Sequence, residues 1–509
     1  MTKPHKPHNS NTAALVQQYA VPIAMLAVAL VAALLRIPAL GRPLWFDEAY
    51  TANAVAFPNA TPLSIISALI RSDTHPPAHY LGMWLWVNLT GISAWPVLSP
   101  HFETVFRLPS LLMGAASAAT VIPLARRLGL RLSLSVLVGL GLAIHQASFR
   151  ESTDARMYSA LTLLSLISWL LLLRAEDRAS RRAMLLTGSV ALLGMFHQIL
   201  FALVVAAQLL YLLSTEERRR LALSYLGPVC AFMVWLPVLV VKLAGGGIDS
   251  RVREQPGDVM GALLTSFGNS QMLVLFFAGL LTAGLWYLSR QTPQPRAFLI
   301  LGLQGPLIAC LWYLSSAFVV NTLSVRYTGV LVPYLLMLAA FGAQALCARL
   351  GNNTLTPVAL LLPALAANVM PLALGSNIGS EPFAQYARIV HQTARSGQHL
   401  VSSETGRMLT TLMYMRRTDV RLDHQAQGTP EGLARMDRAA ASGLFLVTQL
   451  FSGELITDEA GPLIDWMNSR NDAGQLRLLS VQGSSALWYI GPGRKTSPGQ
   501  RQRQHWNAR

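Results

Sequence analysis

The sequence predicts a polytopic α-helical membrane protein that ends in a small α/β domain. Three observations carry this expectation. Hydrophobic residues make up 52% of the 509 residues and charged residues only 13%, whereas soluble domains carry about a quarter charged residues. Apolar runs of roughly 18 to 22 residues recur over the first three quarters of the chain, the length that crosses a hydrocarbon core about 30 Å thick. Between them lie short basic clusters, RRLGLR at 126–131, RAEDRASRR at 174–182, EERRR at 216–220 and SRQTPQPR at 289–296. Arg and Lys in short loops mark the cytoplasmic side. The formal charge of +16 therefore reads as membrane topology and not as a nucleic-acid footprint.

A polar, basic leader, residues 1–20, opens the chain. The first apolar run, 21–40, is too long for a signal peptide and lacks a small-residue cleavage site, so it is expected to be a retained helix. With the leader inside, this helix delivers Asp47 and Glu48 of LWFDEAYTANAV to the outer face, the periplasm of a Gram-negative cell. The next long run, 108–125, ends at the cytoplasmic RRLGLR cluster, so residues 41–107 lie outside. Within them HPPAHYLGMWLWVNL, 75–89, is short for a span and carries Tyr80, Trp84 and Trp86. It reads as a helix lying in the interface.

The alternation continues through 133–149, an outer loop RESTDARMY at 150–158, and 159–173. Two short helices follow, 183–196 and 198–213, with His197 and Gln198 at their outer junction. Beyond them come 221–241, an outer loop at 244–258 with Arg251 and Arg253, then 263–288, 297–319, an outer turn NTLSVRY, 328–346 and 355–374. That makes about eleven spans within residues 21–375. Residues 380–492 alternate amphipathic segments such as EPFAQYARIVHQTAR with short apolar runs such as HLVSS, GLFLVTQL and SALWYIGP, the pattern of a small α/β domain on the outer face. It contains no GxGxxG or GxxxxGK[ST] loop. The basic tail, 493–509, is expected to be disordered. Cys230, Cys310 and Cys347 fall in or beside apolar segments, which leaves no disulfide framework and no CxxC metal site.

Sorted by side, the outer segments gather acids, histidines and arginines from separate parts of the chain, among them Asp73, His75, His79 and Arg107. Charged residues at membrane depth are costly and mark a pathway or a site. For any single arginine the plainer reading is an interfacial cation that snorkels to water. In WFDEAYT, adjacent acids on a helix point in different directions, so one can face a reaction centre while the other holds the loop. An apolar surround makes a carboxylate a better proton acceptor. The plainer reading there is a helix start decorated with acids that complement its dipole.

Taken in order, WFDEAYT, HPPAHYL, FRLPSLLMGA, RESTDARMYSALTLL and VRYTGVLVPYLLMLAAFGA resemble the GT-C superfamily of polyprenyl-phosphate-dependent glycosyltransferases. The likeness is strongest to the branch of protein O-mannosyltransferases and lipid A aminoarabinose transferases. It covers roughly residues 15–350 and rests on the set of motifs, since each alone is weak. The C-terminal domain contributes nothing to it.

The resemblance implies transfer of a sugar, with inversion, from a polyprenyl-phosphate carrier to an acceptor hydroxyl at the outer face of a bacterial inner membrane. Asp47 matches the first-loop catalytic acid and becomes the candidate base, with Glu48 in support or in acceptor binding. Inversion needs one essential base, by analogy with inverting hydrolases. Arg156 and Arg326 are the candidates for the departing phosphate, since a guanidinium offers forked donors that match phosphate oxygens. His75 stands where relatives carry histidine or lysine and implies a third phosphate contact; a rigid Pro-led helix start is the plainer reading of HPP. Tyr158 and Tyr327 are read as hydrogen-bond donors or as the lining of the carrier's entry. Glu151 and Asp154 either bind sugar hydroxyls or orient Arg156. His197 either reaches the site or is a satisfied interfacial histidine.

No obligatory cofactor and no metal is implied, because the arginines compensate charge, although a divalent ion bridging Asp47 and Asp154 stays open. The acceptor is a glycan, lipid or protein. The long acceptor-recognition domains of eukaryotic protein mannosyltransferases are absent, so a protein acceptor is not assumed. Two other classes share a polytopic chain with charges at one face: a flippase or transporter for lipid-linked sugar, and a non-catalytic glycan-binding membrane protein. The first would show repeats and charges at the midplane, which the sequence lacks.

Overall fold

The structure is a computed structural model and describes residues 10–56, 59–73, 75–94, 101–178, 180–214, 216–244, 255–267, 270–290, 296–318, 324–349, 383–402, 420–423, 430–451, 454–455, 460–482 and 485–491. The chain divides into two compact units. Residues 1–40, 61–86 and 106–376 form the first; residues 41–60, 87–105 and 377–509 form the second. The expected span at 355–374, the leader's first nine residues, the basic tail and both Arg251 and Arg253 lie outside the described residues.

The first unit is helical. Seven stretches among the described residues are long and apolar enough to cross a membrane: Tyr19–Ala39, Phe102–Arg127, Tyr158–Arg178, Arg218–Lys242, Gln271–Arg290, Arg296–Leu314 and Val325–Ala348. An eighth forms if Leu132–Ile144 and Gln146–Ser152, bent by 60° at His145, count as one. The two short segments expected after the second basic cluster are the helices Arg181–His197 and Phe201–Leu213. The latter, 13 residues long, rises only about 20 Å, which is short of a hydrocarbon core.

The elements used below are α1 (Ser10–Arg36), α2 (Phe46–Val55), α3 (Pro62–Ser72), α4 (Ala78–Thr90), α5 (Phe102–Arg127), α6 (Leu132–Ile144), α7 (Gln146–Ser152), α8 (Tyr158–Arg178), α9 (Arg181–His197), α10 (Phe201–Leu213) and α11 (Glu216–Ala222). Then come α12 (Leu226–Phe232), α13 (Leu236–Ala244), α14 (Pro256–Thr265), α15 (Gln271–Arg290), α16 (Arg296–Gly302), α17 (Ile308–Phe318) and α18 (Val332–Arg349), the last preceded by a 3-10 turn, Val325–Leu331. The interfacial segment is thus a 13-residue helix, α4.

Helix α18 is buried on nearly every side, and a helix that is hydrophobic all round belongs in the interior. Its tightest neighbour is α15. A Cβ placed on Gly284 would overlap the Leu338 carbonyl, and one on Gly342 would overlap the Leu280 carbonyl. The two glycines therefore let the backbones of α15 and α18 touch, the close approach that small residues permit between helices in lipid. Helix α8 is the polar spine. Ser165 bonds the Tyr334 hydroxyl, the Ser168 hydroxyl donates to Gln208 Oε1 at 3.1 Å, and Trp169 Nε1 donates to Gln304 Oε1 at 3.2 Å. Tyr225 also donates to Gln208, at 2.8 Å. Each of these donors finds an acceptor on another helix, so these polar atoms join helices where hydrophobic burial supplies little drive.

At the C-terminal end of α8 the second basic cluster becomes an ion-pair knot. Glu176 accepts from Tyr211 at 2.6 Å, from Arg218 at 2.6 Å and meets Arg296 at 3.2 Å; Asp177 pairs with Arg127 and, at 2.9 Å, with Arg296. Cations from α5, α11 and α16 thus converge on two adjacent acids. Arg36, at the end of α1, is buried without a carboxylate. It donates to the Ala32 and Ala143 carbonyls at 2.8 and 2.7 Å and to the Ser152 hydroxyl, and its Cζ lies over the Phe149 ring, 5.5 Å from the centroid. A guanidinium stays charged in such a place, and here its donors tie α1 to α6 and α7.

The second unit contains a six-stranded sheet, β1 (His399–Ser402), β2 (Arg421–Asp423), β3 (Leu444–Phe451), β4 (Glu454–Leu455), β5 (Leu476–Gln482) and β6 (Ser485–Ile490). The order is β2-β1-β3-β6-β5, with β4 paired to β3. β1 runs parallel to β2 and β3, while β6 is antiparallel to β3 and β5. The helices Pro430–Ala440 and Ala460–Asp472 supply Met436, Leu463 and Met467 to a core shared with Leu444, Leu446 and Trp488 of the sheet. Gly443 enters β3 at φ +101°, a conformation open to glycine.

Replacing Gly342 with Leu is expected to force α15 and α18 apart and lower the melting temperature in detergent, in line with the roughly 1–3 kcal/mol cost of overpacking. An unchanged melting temperature would show that the crossing tolerates a side chain.

Candidate active site

The site is built first from the segment Asp73 to Tyr80. Asp73 follows α3 in extended conformation, and its carboxylate folds back on the chain. It accepts the His75 backbone N–H at 3.1 Å, an Asx-type turn, and meets His75 Nδ1 at 2.7 Å. One turn into α4, the Tyr80 hydroxyl donates to the other carboxylate oxygen at 2.6 Å. Tyr80 in turn accepts from Arg156 Nη1 at 3.3 Å. One acid therefore joins His75 directly and Arg156 through a phenol. Burial alone would push the Asp73 carboxyl up, but its hydrogen bonds to His75 and Tyr80 and the charge of Arg156 hold it well below the usual carboxylate range.

Arg156 belongs to the buried link, residues 153–157, between α7 and α8. This link is short and turns sharply, with the Arg156 N–H bonded to the Asp154 carbonyl at 2.8 Å. Arg156, Asp154 and Glu151 are all buried. Glu151 accepts the Gly329 backbone N–H. A Cβ on Gly329 would overlap the Glu151 carboxylate, so the glycine of VRYTG is required for close approach and not for a turn. Glu151 thereby fastens α7 to the 3-10 turn that carries Arg326 and Tyr327. Tyr327 lies 5.4 Å from the Tyr158 ring and stacks at 6.3 Å on Trp312. Arg326 is exposed on the same turn.

His197, at the end of α9, packs edge-on against His79 with ring centroids 5.3 Å apart. Both histidines are buried and neither Nε2 has a hydrogen-bond partner. Burial holds His79 well below the usual imidazole range, and its electrostatic neighbours His197, Arg156 and His75 act in the same direction. His79 is therefore neutral in the folded protein near neutral pH.

Asp47 and Glu48 lie in the second unit, in the first turn of α2. Glu48 is fully buried and reaches back to the Trp45 backbone N–H at 3.3 Å, a capping contact. Asp47 is half-buried, and its carbonyl accepts the Thr51 hydroxyl at 3.1 Å. Glu48 thus serves the helix start, while Asp47 is the more accessible acid.

In the first unit a cleft of about 860 Å³ opens between α7, α14, α15 and the 3-10 turn, within the usual size of ligand sites. Gln146, Arg150, Thr265 and Ser266 give it polar atoms; Val274 and Leu275 give it an apolar wall. One guanidinium nitrogen of Arg150, Nη2, is buried without a hydrogen-bond partner. Among the described residues no group of three or more His, Cys, Asp or Glu side chains is arranged to hold a metal ion.

Of the residues singled out in the sequence, His75 and Arg156 share one acid, His197 stands against His79, and Glu151, Tyr158, Tyr327 and Arg326 gather around the 3-10 turn. In the sequence Asp73 stands out only as an outer charge and Tyr80 only as an interfacial ring. The signal for Asp73 was available, since an acid two residues before a histidine ahead of Pro-Pro favours an Asx turn. For Tyr80 the link to Arg156 carries no such signal, because the two lie 76 residues apart.

These features describe a polytopic helical membrane unit in which Asp73 anchors His75 and Arg156 near the start of α8, at the end opposite its ion-pair knot. Two solved structures share the fold. One is a crystal structure of ArnT from Cupriavidus metallidurans bound to undecaprenyl phosphate, with a TM-score of 0.60 and 14% identity over 93% of this chain and 99% of that one. The other is the same ArnT in the apo state, with a TM-score of 0.59 and 15% identity over 94% and 100%. No protein-family model and no curated protein sequence matches the chain.

The two titrations described here act in one direction. Unfolded His79 binds a proton below its ordinary value of 6.5, and the folded group does not. Asp73 contributes stability above its ordinary value of 3.8 and loses it as pH falls through the lower folded value. Melting temperature in detergent is therefore expected to fall as pH drops from about 7 to 5, and His79→Phe to flatten that fall. A profile identical in wild type and variant would contradict the buried neutral state of His79.

Proposed function

We propose that the protein is an inverting glycosyltransferase that moves a sugar from a polyprenyl-phosphate carrier to an acceptor hydroxyl at the periplasmic face of a bacterial inner membrane. The observation that carries this reading is the cluster of His75 and Arg156 held by one ionised acid, in a fold whose solved counterpart is bound to undecaprenyl phosphate. The Arg156 guanidinium and the His75 imidazole suit a phosphate that departs with added negative charge, and an interaction that strengthens as charge develops lowers the barrier. Arg326, exposed beside Tyr327, adds a guanidinium to the same task.

In this reading the acceptor oxygen forms a bond to the anomeric carbon from the face opposite the phosphate. The carbon–oxygen bond to phosphate breaks, and its electron pair leaves on the carrier. Asp47 takes the acceptor's proton, an assignment that rests on the WFDEAYT motif and its order among the other motifs. Glu48 secures the start of α2 and supports it. Tyr158 and Tyr327 line the approach of the carrier, Glu151 holds the turn that bears Arg326, and Asp154 and His197 complete the sugar's surroundings. The cleft beside Arg150 is the candidate seat of a lipid substrate. No metal takes part.

The test is transfer of labelled sugar from a panel of polyprenyl-phosphate sugars by purified protein, with membrane extract as acceptor and EDTA in parallel. Label is expected to move from one donor, with and without EDTA. Asp47→Asn is expected to lower transfer by at least about 10²-fold, the contribution of a general base, while the variant still binds undecaprenyl phosphate. Arg326→Ala is expected to raise the donor KM with the fold intact. Survival of transfer in Asp47→Asn would remove Asp47 as base, and normal donor kinetics in Arg326→Ala would remove Arg326 from the site.

A further inference from the structure

His75 and Arg156 come from distant parts of the chain, and nothing in their own sequence neighbourhoods fixes one against the other. What joins them is Asp73. Its two carboxylate oxygens are divided between them: Oδ1 takes the His75 backbone N–H and Nδ1, and Oδ2 takes the Tyr80 hydroxyl. Since a phenol that donates its proton still offers lone pairs, Tyr80 accepts Arg156 Nη1 with the same oxygen that serves Asp73. Each hydrogen bond in such a chain polarises the next when water is excluded, and Tyr80 is fully buried.

Two consequences follow for the ligands themselves. The carboxylate at Nδ1 fixes the ring of His75, so Nε2 is the nitrogen turned from Asp73 and presented to a ligand. Tyr80, anchored at one end by Asp73, engages one nitrogen of Arg156 and so limits the rotation of its planar fork. A guanidinium recognises phosphate through the geometry of that fork, which makes its orientation part of its affinity.

We propose that Asp73 and Tyr80 are positioning residues that lock His75 and Arg156 into one preformed receptor for the carrier's phosphate, touching no substrate themselves. This rests on the glycosyl-transfer reading and names the residues through which its phosphate site is assembled. Asp73 also places a negative charge within electrostatic reach of the buried Arg156. The receptor is thus kept in order between turnovers, and the ordering cost does not fall on each binding event.

The experiment measures binding of undecaprenyl phosphate to the purified full chain in detergent, with uncharged undecaprenol as control, in Tyr80→Phe, Arg156→Met and the double variant. Tyr80→Phe removes one oxygen from a buried ring and keeps its packing; melting within a few degrees of wild type is the accompanying check. Tyr80→Phe is expected to weaken undecaprenyl phosphate roughly tenfold, the factor that losing one hydrogen bond to a charged group carries, and to leave undecaprenol unchanged. In the double variant the loss is expected to match Arg156→Met closely, because Tyr80 acts through Arg156. Losses that multiply, or equal losses for both lipids, would overturn the inference and leave the functional reading standing. Asp73→Asn gives a second route: it keeps the shape and removes the charge, and is expected to weaken the phosphate lipid alone. Wild type that does not distinguish undecaprenyl phosphate from undecaprenol would overturn the phosphate reading itself, and this inference with it.

Discussion

The helical unit depends on one constraint: a charge taken out of water must be paired or fully hydrogen-bonded, or it costs several kcal/mol. The fold answers it three times. Arg36 is satisfied by carbonyls and hydroxyls and ties α1 to α6 and α7. Glu176 and Asp177 collect three arginines at the C-terminal end of α8. At the other end Asp73 serves His75 and, through Tyr80, Arg156. The first two arrangements leave little capacity for a ligand, since their donors are spent on the protein. In the third, Asp73 holds His75 directly and Arg156 through Tyr80, two side chains of the kind that bind phosphate.

That third arrangement links architecture to chemistry. A receptor for a lipid phosphate must be cationic, must sit where the carrier's head group meets the protein, and must not collapse when empty. The buried link between α7 and α8 brings Arg156 to the start of α8, and the Asx turn at Asp73 brings His75 to the start of α4. Glu151, by gripping Gly329, holds the turn with Arg326 and Tyr327 in place. The elements that bear charge are short turns at helix ends, held by contacts to the long helices behind them.

Much of this was legible in the sequence because membranes impose simple rules. Apolar length and basic clusters reveal the helices and their connections, and the alternation of HLVSS and GLFLVTQL marks β1 and β3. The segments 183–196 and 198–213 show the limit, since an apolar run does not say whether a helix of 13 residues crosses alone. Long-range polar pairing is hidden for a different reason. Tyr80 reads as an interfacial aromatic, and Arg36 as the end of an apolar run, until distant partners 76 and 116 residues away are brought to them. Gly329 looks like a turn glycine, yet its need is space for Glu151. Glu48, read from the sequence as a support for Asp47 or an acceptor-binding group, also makes a capping contact to the Trp45 backbone N–H that adjacent acids alone do not reveal.

The central claim is that the carrier is cleaved and not merely moved. The most direct measurement reconstitutes the purified protein in vesicles with one polyprenyl-phosphate sugar of known anomeric configuration and an acceptor extract. Free polyprenyl phosphate and glycosylated product are then quantified together, and the product's anomeric configuration is read by NMR. The account predicts the two products in equal amounts and an inverted anomeric centre. An intact carrier that changes leaflet without cleavage, or a product of retained configuration, would contradict it.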